Sequence, residues 1–213
     1  MKKIVSVLMF LAVASSTLNA QDQDPKAKTI LDDVSKTTKA YKTITTEYTL
    51  TVLNKEKKQT DKQTGKIQVK GNKFRLEIPG STIVCDGKTV WTYSKDANEV
   101  SIKNYEPSAD DAMDPTKIFT MYEKGYKYKY DKEEGKLTII NLYPSVKPEK
   151  KKFHTIKLYV DKAKKQVKKL TMLMKDGGTQ TYELKSMTPN LELSDAIFIF
   201  DTKACKCDVV DER

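Results

Sequence analysis

The 213-residue sequence predicts a mainly β fold with some α: a single curved antiparallel sheet of about eleven strands, forming an unclosed β-barrel capped by a helical lid. Three observations predict it. Short runs of β-branched and aromatic residues follow one another from Thr43 to Met187, separated by glycine, proline or charged turns. Two stretches of helical character start at Asp-Pro pairs, one before the strands and one among them. Finally, two helices can cover only one face of so large a sheet, and full closure would hide the interior from them. A two-sheet sandwich built from the same strands is the alternative the pattern leaves open.

In chain order, Asp24-Pro25 supplies an N-cap followed by proline in the first turn, and Ala27, Ile30, Leu31, Val34 and Tyr41 recur at helical spacing. This predicts an amphipathic helix over 25–39. Strands are predicted over 43–53, 65–70, 73–78, 82–85, 89–94 and 99–103, with Asp86-Gly87 as a tight-turn signal between the fourth and fifth. Asp114-Pro115 then opens a second helix over 115–124, carrying Ile118, Phe119, Met121 and Tyr122 before Gly125. Strands resume over 126–130, 136–142, 153–160, 167–174 and 179–187, and a last one is expected over 197–200. The charged stretches 55–58 and 147–152 read as solvated loops.

Residues 1–20 have the form of a cleaved secretory signal: a basic start at Lys2-Lys3, an apolar stretch from Ile4 to Ala14, and Ala20 before the expected cut. Gln21 follows, not cysteine, so no lipid attachment is expected there. The remaining 21–213 are expected to form one exported, soluble domain in the periplasm. The formal charge of +10 is almost all lysine, since Arg75 and Arg213 are the two arginines. Lysine lacks the planar fork that reads phosphates and bases, so the basic balance and export together argue against a nucleic-acid partner.

Export permits disulfides, but Cys85, Cys205 and Cys207 are odd in number. A Cys205–Cys207 bridge would close a very small ring, so Cys85 paired with either is the expected link. With His154 the CxC pair makes only a weak metal-site pattern, and neither metal nor cofactor is expected. His154 is the single imidazole, and no GxSxG or HExxH pattern surrounds it. The chain therefore does not read as an enzyme.

The stretch Ile83-Val84-Cys85-Asp86-Gly87-Lys88-Thr89-Val90-Trp91-Thr92-Tyr93 resembles the V-x-D-G-K-x-x-W-x-Y hairpin of the outer-membrane lipoprotein carrier (LolA) family. The preceding Gly65 to Lys70 and Phe74 to Glu77 are similar to that family's strand pair, and Tyr182-Glu183-Leu184-Lys185 and Phe198-Ile199-Phe200 fall where it has later strands. The resemblance implies an unclosed barrel over an apolar cavity. It further implies a monomeric periplasmic chaperone that takes acylated lipoproteins from an inner-membrane ABC transporter to an outer-membrane acceptor. A lipid-binding or lipoprotein-sensing module on the same half-barrel is the alternative. Two departures stand out: Val69-Lys70 is followed by Gly71-Asn72 where members often carry a lid-latching arginine, and Lys203 to Cys207 replaces a late Pro-x-Gly stretch.

Phe74, Leu76 and Ile78 alternate, so they share one side of a strand. That side is the expected cavity wall for acyl chains, faced by Ile30, Leu31 and Val34 of the first helix and Ile118, Phe119 and Tyr122 of the second. Trp91 is added as a candidate, although periodicity does not fix which face it and Tyr93 share.

Overall fold

The computed structural model describes residues 23–106, 115–117 and 120–213. The expected signal segment lies outside the described residues, as do Asp114, Ile118 and Phe119. Helix α1 spans Pro25–Lys39, as its periodicity predicts. The Asp24 carboxylate accepts from the backbone N–H groups of Lys26 (2.8 Å) and Ala27 (3.2 Å), satisfying two of the otherwise orphaned donors of the first turn. Lys36 and Lys39 in the last turn complement the negative end of the helix dipole. The buried face of α1 carries Ala27, Leu31 and Val34.

Twelve strands among the described residues form one sheet. They are β1 (Ile44–Asn54), β2 (Gln59–Lys70), β3 (Lys73–Ile78), β4 (Ser81–Cys85), β5 (Thr89–Ser94), β6 (Glu99–Asn104), β7 (Tyr126–Glu134), β8 (Leu137–Pro144), β9 (Phe153–Asp161), β10 (Gln166–Met174), β11 (Thr179–Pro189) and β12 (Asp208–Asp211). Their spatial order is β12-β6-β5-β4-β3-β2-β1-β11-β10-β9-β8-β7. Two meanders, β1 to β6 and β7 to β11, thus meet where β11 pairs with β1, and β12 and β7 are left as unjoined edges. The barrel is unclosed. A bulge beside Tyr48 in the β1–β11 pair adds local twist where the two meanders join.

The concave face is apolar. Under α1 it is filled, with Ile140, Leu142 and Ile156 fully buried beside Leu31 and Val34. Truncating any one of these to alanine is expected to cost about 2–5 kcal/mol. The convex face of β3–β6 is covered by the segment after β11. Lys70 donates to the Leu193 carbonyl (3.1 Å), Arg75 to that of Ile197 (3.4 Å), and the rings of Tyr93 and Phe200 lie 5.5 Å apart.

Three expectations are corrected. Residues 197–200 do not form a strand: Asp195–Phe198 is a 3-10 turn. Its alternation is real, with Phe198 buried and Ile199 exposed, but the segment packs across strands and not along an edge. In place of the expected second helix over 115–124, the described residues form a turn at 115–117 and a 3-10 turn at Met121–Glu123. Tertiary contacts with α1 override the local helical pattern there, because Met121 and Tyr122 are buried and Glu123 bonds to the helix. The disulfide joins Cys205 to Cys207, while Cys85 is buried on the concave side. Cys85 pairs with Val90, whereas Lys206 is bonded to Asn98 at the far turn of the β5–β6 hairpin. From Val90 to Ser94 alone the strand runs about 13 Å, and a disulfide needs Cα atoms within about 7 Å.

Candidate functional site

The registers define two rows of side chains on the concave face of the first meander. One runs Val69–Phe74–Cys85–Val90–Lys103, and the next Ile67–Leu76–Ile83–Thr92–Ser101. Directly paired residues point to the same side of a sheet, so these strands present an apolar wall that fades to polar at β6. Against it lies an open cavity of about 550 Å³, lined by Phe74, Leu76, Ile83, Val90, Thr92 and Tyr105, with Pro115 at its margin. None of the lining residues comes from α1. Lys103 and Glu212 stand at the rim, 3.2 Å apart, so β12 contributes to the site through the residue that follows it. The edge of the Phe74 ring meets the Tyr105 ring at a centroid separation of 6.0 Å.

The sequence-predicted residues divide into groups. Phe74 and Leu76 line this cavity. Ile78 is on the same side of β3 but borders a second hollow of about 460 Å³, with Tyr48, Gly65 and Pro79. Leu31 and Val34 are buried in the filled core, and Ile30 is half-buried against it. Trp91 requires correction: it pairs with Val84 and Ile102, in the row that includes Arg75, and therefore faces the convex side. Arg75 likewise points away from the cavity and binds Glu77 (2.8 Å).

Tyr122 is buried against the ring of Tyr128, and its hydroxyl donates to Asp32 of α1 (3.2 Å). Burial pushes its phenol well above the ordinary range. Next to it, the Glu123 carboxylate accepts from Ser35 and from Lys39, both at 2.6 Å. Burial raises the Glu123 pKa, but these two donors outweigh it and hold the carboxyl below its usual value. The contacts fasten 121–123 to the helix. A separate opening of about 190 Å³ lies between the end of α1, Ile44, Val69 and Pro115, so Pro115 borders both spaces.

The lining residues that sequence reasoning missed include Ile83, Val90, Thr92, Tyr105, Lys103 and Glu212. A signal existed for two of them. Counting back from the Asp86-Gly87 turn pairs Cys85 with Val90, and alternation from Cys85 then reaches Ile83. No buried cluster of acids or imidazole accompanies the cavity among the described residues, and the His154 ring is elsewhere, on β9, 2.9 Å from the Thr155 hydroxyl. The arrangement suits burial of hydrocarbon, and the described residues that line it supply no nucleophile–base pair.

Comparison with known proteins gives consistent results. The family model described as outer membrane lipoprotein carrier protein LolA matches residues 39–201. The outer-membrane lipoprotein carrier protein of Histophilus somni (strain 2336) is 32% identical over 163 residues, covering 74% of this chain and 76% of that protein. Among solved structures, an uncharacterized conserved protein from Thermus thermophilus aligns with a TM-score of 0.55 at 16% identity, covering 88% of this chain and 99% of that one. The Mycobacterium tuberculosis lipoprotein LppX aligns at 0.50 and 11% identity, covering 81% and 99%. At these identities the two structures speak to the fold alone.

Proposed function

The chain belongs to the outer-membrane lipoprotein carrier family, and from that premise we propose that it is a periplasmic chaperone that carries acylated lipoproteins from the inner to the outer membrane. In this reading residues 1–20 are removed on export and 21–213 form the carrier. An inner-membrane ABC transporter hands over the cargo, and an outer-membrane acceptor receives it. The observation that supports the reading best is the bare apolar wall of Phe74, Leu76, Ile83 and Val90, which α1 leaves uncovered.

The energetics favour a carrier with a partly open site. Each buried methylene is worth about 0.8 kcal/mol, so full enclosure of several acyl chains would make release very slow. A cavity of about 550 Å³ with one polar side shelters only part of such a load. The decisive experiment incubates the purified protein with inner-membrane preparations holding acylated or unacylated forms of one lipoprotein. The carrier extracts the acylated form only. Failure to extract any acylated lipoprotein, with the fold intact, would rule the proposal out.

A further inference from the structure

Three turns that are distant in sequence line up at one end of the sheet. The β1–β2 turn lies beside the β10–β11 turn, since Leu53 pairs with Thr179 and a Cβ on Gly177 would touch the Lys55 side chain. The β10–β11 turn in turn abuts the β8–β9 loop: Lys175 donates its backbone N–H to the Lys152 carbonyl (2.9 Å) and its ammonium to those of Pro148 (2.7 Å) and Glu149 (3.2 Å). This end exposes Lys55, Lys57, Lys58, Lys62, Lys147, Lys150 and Lys152, against which stand, among the described residues, Glu56, Asp61, Glu149 and Asp176.

On other surfaces several lysines are matched by carboxylates, as in Lys28–Asp32, Lys39–Glu123, Lys162–Glu133, Lys165–Asp33 and the pair Lys70 and Lys73 on Asp195. Among the described residues no ion pair engages Lys55, Lys57, Lys58, Lys62, Lys147, Lys150 or Lys152. Two aliphatic side chains, Leu53 and Val146, are exposed in the same place.

We infer that this end of the sheet is a docking surface for an anionic phospholipid bilayer. The positive charge is compact, exceeds that of the carboxylates beside it and is carried by lysine alone, whose long stem and point charge suit a diffuse field of headgroups better than the bidentate recognition of one carboxylate. Leu53 and Val146 supply the apolar contact that interfacial binding adds to charge attraction. The surface lies at the end of β1 opposite Ile44, whose row leads through Val69 to Phe74 in the cavity. Docking therefore engages the end of the sheet opposite the row that holds Phe74, and the inference does not depend on what the cavity holds.

The test is co-sedimentation of the purified exported protein with phosphatidylethanolamine vesicles, with and without phosphatidylglycerol. Binding is expected only to the anionic vesicles, and to be lost at high salt. The combined variant Lys57→Gln, Lys58→Gln, Lys150→Gln, Lys152→Gln is expected to bind at least tenfold more weakly, on the basis of roughly fivefold per surface lysine. The equally charged control Lys88→Gln, Lys95→Gln, Lys164→Gln, Lys203→Gln should retain most of the binding. No binding to anionic vesicles at low salt would overturn the inference, as would equal losses in both variants. Capture of an acidic protein without vesicle binding would also overturn it, in favour of a protein partner. All eight positions are exposed, and circular dichroism of each variant confirms its fold.

Discussion

Tyr48 lies directly against Gly65, its cross-strand partner, so closely that a methyl group on Gly65 would overlap both the phenol and the backbone carbonyl of Glu77. The glycine is needed for space, and the bulge beside Tyr48 places this contact where the sheet turns between its two meanders. Gly65→Ala is therefore expected to destabilise the fold by about 1–3 kcal/mol through overpacking. Urea denaturation followed by circular dichroism measures it, and an unchanged midpoint would contradict the steric reading.

The same tyrosine predicts alkaline sensitivity. Burial pushes the Tyr48 phenol from 10.0 up to about 12, with the neighbouring Tyr182 ring 5.9 Å away. Because the folded state holds this proton more tightly than the unfolded chain, its contribution is complete below pH 10.0 and is lost as the pH rises toward about 12. Tyr48→Phe should show a shallower loss of stability across that window. Parallel denaturation curves at several alkaline pH values make the comparison.

Asp24 serves two elements at once. Besides capping α1, it accepts from the Tyr130 backbone N–H of edge strand β7 at 3.0 Å. Burial opposes ionisation, but the N–H groups of Tyr130, Ala27 and Lys26 outweigh it and lower the carboxyl pKa. The stabilisation is present above the ordinary carboxylate pKa and disappears as pH falls through the depressed folded value. Asp24→Ala is expected to cost about 1–2 kcal/mol and to speed hydrogen exchange in both α1 and β7. Asp24→Asn should keep most of the cap while flattening the acid dependence.

Filling the cavity separates its two faces experimentally. Val90→Trp on the concave wall should displace space for two or more methylenes, at about 0.8 kcal/mol each, and weaken binding of an acylated probe about tenfold. Trp91→Phe, one residue along on the convex side, should leave that affinity within twofold. Fluorescence titration with a labelled lipopeptide reads both, and equal effects would refute the assignment of faces.

Local signals in the sequence carried much of this architecture. Asp24-Pro25 with a periodic apolar face marks α1, and the strand cores from Thr43 to Met187 follow β-branched alternation closely. What escaped depends on distant partners. Whether Ile197 to Phe200 forms a strand rests on an available edge, and the interior of β3–β6 offers none. Asp208 to Asp211 has too few apolar residues to signal β12, which exists because β6 presents an open edge. Residues 115–124 carry a helical pattern, but Ser35 and Lys39 of α1 hold Glu123 in a tight turn. For the cavity, alternation placed Phe74 and Leu76 together, whereas Trp91 required the register across Asp86-Gly87. Tyr105 and Glu212 reach the wall only through tertiary assembly.

The pairing of β1 with β11 joins Ile44 to Pro189, near opposite ends of the chain. A chain emerging N-terminus first can complete the β1–β6 meander early, but the free edge of β1 must wait until β11 has been delivered. That interval leaves a long strand with unsatisfied backbone donors and acceptors, the condition under which sheets pair with the wrong neighbour. Only Glu47 interrupts the run of threonine and apolar residues from Ile44 to Val52 with a charge. The order in which the chain is threaded out thus makes β1 the segment most in need of shielding before the molecule is whole.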